Sequence, residues 1–263
     1  HDELLVDRTS LVRKYRLMGG DHDVRIALTS GYQIDRSMRS CNAYASEFGD
    51  PFSAFFYRTP NDSRRRPGVF AARSHVVAEI DGSFILSPRE ARAPLLCEAV
   101  AAASVVDGDY FRERFFDSEQ PSLTVPHLYS MMAEADREAR FAILKDDPVC
   151  HATTESWGLV FRKVHWRLSN ALSAQPIGSA GVSGRHGHWG DPGGRSYGSR
   201  RLLFYLYLLA VVPIVIDSAV MAASRRRLGY LMNVPLGLAL PVWSIGLYAR
   251  RALRKSVQRR YGD

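Results

Sequence analysis

The sequence predicts an α/β soluble part followed by a C-terminal two-helix transmembrane hairpin. Three observations predict it. Strand-like and helix-like segments alternate through residues 1–174, the pattern of an α/β rather than an all-helical domain. A Gly-rich stretch, 175–200, then reads as a flexible linker by composition. Residues 201–263 carry two apolar runs, 202–223 and 228–249, each fenced by arginines and followed by a basic tail. About twenty apolar residues suffice to cross roughly 30 Å of hydrocarbon as a helix.

The elements of the soluble part follow from local pattern. A charged opening, 1–18, leads into DVRIALTSG (23–31), a short strand ending in a turn. Residues 35–48 read as a helix running into a Gly-Asp-Pro turn, and SAFFYR (53–58) as an aromatic strand or helix start. NDSRRRPG (61–68) is a solvated loop. Segment 69–86 holds the strongest strand pattern, broken at Asp81-Gly82. Residues 88–106 read as a helix rich in alanine and leucine, and 123–144 as another. DDPVCHATTES (146–156) is a strand leading into a loop. WGLVFRKVHWRLSNAL (157–172) is an amphipathic basic helix suited to a membrane surface.

Charge assigns the partners and the orientation. The net charge is +8, but twelve basic residues in three clusters flank the apolar runs. Anionic lipid headgroups account for that excess, and no interleaved aromatic and basic stripe of the kind that binds single strands is present, so nucleic acid is excluded. A hairpin places Arg195, Arg200 and Arg201 on the same side as Arg250, Arg251, Arg254, Lys255, Arg259 and Arg260. The positive-inside bias then puts a multi-pass protein in the cell membrane with its soluble part and C-terminus cytoplasmic. Arg225, Arg226 and Arg227 fall on the far side, and two shallow interfacial helices are the topology that avoids this. Asp217 is costly inside a span and is expected to face protein, water or the interface. Pro213, Pro235 and Pro241 permit kinks or a re-entrant path. Cys41, Cys97 and Cys150 are odd in number and form no Cys-x-x-Cys pair, which fits a reducing compartment rather than a disulfide framework.

A few polar residues could carry chemistry. Asp81 ends an apolar strand, where an α/β sheet delivers carboxylates to a cleft; an ordinary Asp-Gly hairpin turn uses the same residues. Asp107-Gly108-Asp109 has the spacing of a metal-binding pair but is also a common surface turn. Asp117 and Glu119 follow Phe115-Phe116, and apolar surroundings raise a carboxyl toward general-base use; Pro121 equally allows a helix start there. His151 could complete a divalent-metal site or bind a phosphate oxygen. His186 and His188 lie in the Gly-rich stretch, with nothing to fix them. No Gly-x-Ser-x-Gly elbow, phosphate loop or Gly-x-Gly-x-x-Gly is present.

Taken in order, these features resemble the C-terminal part of a membrane-associated family 2 glycosyltransferase of GT-A type. The pieces are Asp81-Gly82-Ser83-Phe84-Ile85, Phe115-Phe116-Asp117-Ser118-Glu119, Val149-Cys150-His151 with Ser156-Trp157, and Arg162-Lys163 with His165-Trp166-Arg167, followed by apolar helices. The resemblance covers roughly 50–251, and the order of its short motifs carries it. It implies a partial GT-A-like domain that moves a sugar from a nucleotide-diphosphate donor to a lipid-linked or polysaccharide acceptor. It implies Glu119 or Asp117 as the base on the acceptor hydroxyl, His151 as a metal or diphosphate ligand, and Asp81, Arg162 and Trp166 as acceptor- or donor-binding residues. Mg²⁺ or Mn²⁺ would neutralise the leaving diphosphate.

This sequence departs from the family in three places. Its acidic motif is Asp-Ser-Glu rather than Glu-Asp. Its basic helix only approximates Gln-x-x-Arg-Trp. No nucleotide-binding half is visible, and 1–48 is too short to supply it. A complete chain is then expected to be inactive alone, and a fragment to have its donor site upstream of His1. The competing expectation is a non-catalytic, membrane-anchored accessory or scaffold protein. Convergence of Asp81, Glu119 and His151 on one cleft would separate the two.

Overall fold

The computed structural model describes residues 3–5, 7–56, 60–88, 103–115, 132, 136, 138–151, 154–171 and 197–261. Its architecture is mixed α/β, and three C-terminal helices pack onto a mixed sheet and its helices.

The centre of the main sheet is a parallel pair, β2 (Val24–Leu28) and β7 (Arg140–Leu144). Both are buried almost throughout, as parallel strands covered on two faces must be. Around them β4 (His75–Ile80), β5 (Ser83–Ser87) and β6 (Val105–Val106) complete the order β4-β5-β7-β2-β6, with every other pairing antiparallel. β4 is the exposed edge. Asp81 and Gly82 form the two-residue turn between β4 and β5, at φ 47° and 69°. Left-handed backbone at both positions is what a tight hairpin needs to match strand twist. A second sheet joins β1 (Glu3–Leu5), β8 (Pro148–His151) and β3 (Gly31–Tyr32) in the order β1-β8-β3.

Helix α1 (Ser10–Met18) covers one face, over Val24, Ala27, Ile85, Ala142 and Leu144. It also buries Lys14, whose ammonium lies 2.6 Å from the equally buried Asp147 and donates to Ser10. Burial pulls the Lys14 ammonium below the ordinary lysine value even though Asp147 opposes this. The pair ties α1 to the β7–β8 connection.

The other face carries α2 (Ser40–Glu47), α3 (Pro51–Phe56) and α4 (Arg66–Arg73), with α5 (Gly108–Phe115) and α6 (Trp157–Ala171) at the sides. The remaining helices are α7 (Tyr197–Leu209), α8 (Val212–Arg225) and α9 (Asn233–Tyr261), with the 3-10 turn Leu228–Met232 between the last two. A single core runs from Ile26 and Phe141 through Tyr44 and Phe48 to Phe204, Ile214, Tyr230 and Leu240. Residues from both sides of the Gly-rich stretch therefore share one interior. Phe204 meets Phe52 edge-to-face at 5.1 Å, and Trp243 meets Phe161 in the same way at 6.0 Å. Gly237 permits a close crossing of α9 over α8: a methyl there would lie 2.2 Å from Ile214 Cδ1.

Among the described residues, one helical segment, Leu228–Leu253, is long and apolar enough to cross a membrane. The first apolar run is not a straight span. It breaks between α7 and α8, whose axes differ by 85°. Val211 takes a left-handed φ of 58°, and Pro213 opens α8; proline is tolerated there because a first-turn residue needs no N–H partner. Asp217 is half-buried and accepts the Tyr207 hydroxyl across the bend at 3.0 Å. The predicted hairpin is thus one long helix beside a sharply bent pair.

Arg225 and Arg227, expected on the far side of a bilayer, dock on the α/β part instead. Arg225 pairs with Glu47, and Arg227 donates to the carbonyls of Asp35 and Met38. Leu202, Leu206, Val212, Ile216, Val242 and Ile245 leave an apolar outer surface on α7, α8 and α9.

Other expectations shift locally. Residues 140–144 are strand rather than helix, and 66–73 are helix rather than loop and strand. The helix expected over 35–48 begins at Ser40, and the described part of SAFFYR, 53–56, falls on α3. Most of 88–106 lies outside the described residues, as do Cys97, His186 and His188.

Candidate functional site

The candidate site forms where β8 ends beside α2 and α6. β8 delivers His151 to that junction. Its ring stacks on Tyr32 with centroids 4.5 Å apart, and its Nδ1 lies 2.9 Å from Ser46 Oγ. Its carbonyl accepts Asn42 Nδ2 at 2.9 Å. Two consecutive turns of α6 supply the opposite wall. Lys163, Trp166 and Arg167 share a helix face by their spacing of three and four residues. His151, Thr154, Lys163, Trp166 and Arg167, with Ala45, Gly49 and Val160, line a cavity of about 240 Å³.

Each polar group in the wall is held in place. Lys163 Nζ donates to Thr154 Oγ1 at 3.0 Å. Arg167 Nη1 donates to Asp50 Oδ2 at 3.0 Å. Gly49 takes φ 78°, and a methyl there would lie 2.5 Å from Arg167 Nη1. Glycine at this point serves both the turn and the seat of the guanidinium. Ser46 Oγ and His151 Nδ1 share a hydrogen bond in which the imidazole tautomer sets which of the two donates.

The lining therefore presents an ammonium, a guanidinium and an imidazole, and no carboxylate among the described residues. Divalent hard cations need oxygen ligands, chiefly carboxylates. Of the two roles open to His151, the described lining suits a phosphate oxygen. No group of three or more His, Cys, Asp or Glu side chains suited to a metal is found among the described residues.

The other expected site residues are placed as follows. Trp166 lines the cavity and is half exposed. Arg162, one position off that helix face, is exposed and does not line it. Asp81 occupies the exposed hairpin turn beside the end of β7, where Lys145 N–H binds the Gly82 carbonyl at 2.9 Å, and it too is not part of the cavity lining. Asp117 and Glu119 lie outside the described residues. Asp107 is a helix cap rather than half of a metal pair. It accepts Tyr110 N–H at 2.9 Å and Arg25 Nη1 at 2.6 Å, while Asp109 faces solvent with Arg112.

Lys163 and Arg167, which stand in the basic motif without an assigned role, and Ser46 and Thr154, which the sequence does not mark, also belong to the site. The available signal was the three- and four-residue spacing from Lys163 to Trp166 and Arg167. Comparison of the chain with family models, with curated proteins and with solved structures finds no match.

Proposed function

We propose that this chain is part of a membrane-associated glycosyltransferase that moves a sugar from a nucleotide-diphosphate donor to a lipid-linked or polymer acceptor. The observation that carries the reading is the shared cavity of His151 and Trp166. The resemblance assigns these two distant motifs to one site, and they line one wall and its opposite. In such a transfer the acceptor oxygen bonds to the anomeric carbon as the bond to the diphosphate oxygen breaks. Negative charge then builds on the leaving diphosphate. Lys163 and Arg167 are donors fixed in advance for that charge, the arrangement that stabilises a developing anion most, and the His151 ring lies beside them. The acceptor proton would go to Glu119 or Asp117.

The cavity is smaller than the roughly 300–1,000 Å³ of a pocket that encloses a drug-sized ligand. It is the size for a phosphate group rather than for a whole nucleotide sugar.

The C-terminal helices would hold this site at the cytoplasmic face of the membrane. Their exposed apolar surface supports membrane residence, and the docking of Arg225 and Arg227 on the α/β part supports an interfacial arrangement. In that arrangement all three basic clusters face one leaflet, as the positive-inside bias favours.

The test is isothermal titration of UDP-, GDP- and dTDP-sugars into detergent-solubilised protein, with and without Mn²⁺. Binding that is lost in His151→Ala and Arg167→Gln is the expected result. Absence of binding to every donor would overturn the reading in favour of an accessory protein.

A further inference from the structure

A second cationic surface lies on the opposite side of α2 from His151. The N-terminal end of α2, the loop before α4 and the corner between α8 and the 3-10 turn enclose an open groove of about 1,110 Å³. Its described lining holds seven arginines against three carboxylates, an excess of four positive charges.

The three carboxylates are already engaged. Glu47 takes Arg225 and the Tyr230 hydroxyl. Asp35 accepts Ser37 N–H and Oγ and Met38 N–H. Asp62 accepts Arg64 N–H and pairs with Arg65 at 3.7 Å. Arg36, Arg64 and Arg226 are exposed and have no side-chain partner among the described residues.

Arg226 gives the second, independent observation. It closes α8 in the left-handed conformation, φ 52°, with its N–H on Ala223 O and the next N–H on Ala222 O. Glycine is the usual residue at that position because it has no Cβ to clash. An arginine there costs the fold stability that glycine would keep.

We propose that this groove binds a ligand bearing two or more phosphate groups. A single phosphate monoester carries about −1.5 to −2 at neutral pH, so an excess of four charges needs at least two. Arginine suits the task because its planar fork grips phosphate with paired hydrogen bonds. The groove also opens beside Leu228, which is 80% exposed and begins the long apolar helical segment. Phosphates borne by a lipid would reach the arginines from that apolar side, and free diphosphates from solvent. The inference does not rest on the glycosyltransferase reading, since the cavity of His151 is separate.

Sodium pyrophosphate titrated calorimetrically into the full chain in detergent is the direct test, repeated for Arg64→Gln, Arg226→Gly and His151→Ala. Affinity should fall about tenfold in each arginine variant, the loss expected for one charged hydrogen-bonded contact, and hold in His151→Ala. Arg226→Gly should at the same time raise the thermal midpoint, because glycine relieves the left-handed strain. A purely structural arginine would change stability without changing affinity.

Co-sedimentation with vesicles then separates the sources. Tighter binding to vesicles containing a lipid with a diphosphate headgroup than to phosphatidylcholine alone, the excess displaced by pyrophosphate, assigns a lipid headgroup. Pyrophosphate binding without that preference assigns a soluble diphosphate. Binding lost only in His151→Ala, with both arginine variants unchanged, overturns the proposal while leaving the cavity reading intact; no pyrophosphate binding at all overturns both.

Discussion

Glu47 lies wholly buried beneath Arg225, its Oε1 2.5 Å from Nη2 and 2.7 Å from Nε, while its Oε2 accepts the Tyr230 hydroxyl at 2.6 Å. One carboxylate thus binds two parts of the C-terminal segment to α2. Glu47→Gln removes the charge and leaves Arg225 largely buried without its counter-ion. Breaking one side of a buried pair costs about 3–5 kcal/mol. Urea unfolding should show a loss of that size, and Tyr230→Phe a smaller one of about 1 kcal/mol. An unchanged midpoint for Glu47→Gln would mean that the helices are not held to α2.

Gly49→Ala should damage the site and the fold together. The left-handed backbone costs an alanine about 1–2 kcal/mol. Its methyl also displaces the Arg167 guanidinium from Asp50. Phosphate affinity at the cavity should drop about tenfold, measured by titration beside the wild type. Retained affinity would show that Arg167 is not a ligand.

Acid should loosen the molecule through Asp107 and Asp136. Burial works against ionisation of both, but donors outweigh it: Tyr110 N–H and Arg25 for Asp107, and the Tyr110 hydroxyl, two backbone N–H groups and Arg114 for Asp136. Both carboxyls sit below their ordinary values in the folded chain. Their contribution is complete above the unfolded carboxyl value of about 3.9 and is lost as pH falls through the lower folded values. The urea midpoint should decline between about pH 5 and pH 2, and Asp136→Asn should flatten that decline. An identical pH profile in the variant would remove Asp136 from the account.

Topology can be read chemically. Glu155→Cys places a thiol on the exposed start of α6, and Ser256→Cys places one in the last turns of α9. For interfacial helices, a membrane-impermeant maleimide should label both from the same side of inverted vesicles. Labelling from opposite faces would mean that the helix beginning near Leu228 crosses the bilayer.

The fold was partly readable from sequence because some elements announce themselves locally. β2 and β5 stood out as short apolar runs between turn residues, and Asp81-Gly82 as a break. β7 did not, since Arg140–Leu144 follows a charged segment of helical spacing, and only its place between β5 and β2 makes it a strand. His151 and Trp166 were legible as candidates through motif order. Lys163 and Arg167 became site residues only once α2 and β8 showed which face of α6 is turned inward. The docking of Arg225 and Arg227 was hidden for a similar reason: arginines flanking an apolar run look alike whether they meet headgroups or a buried glutamate.

Ser46 and Glu47 are adjacent on the eight-residue helix α2, yet the first touches His151 and the second touches Arg225. Two surfaces, the His151 cavity and the arginine groove, therefore depend on neighbouring residues. A substitution that shifts the α2 backbone at one of them should disturb the other surface as well. Divergence among descendants of this chain should concentrate on the rim arginines and on α6, while α2 stays fixed between them.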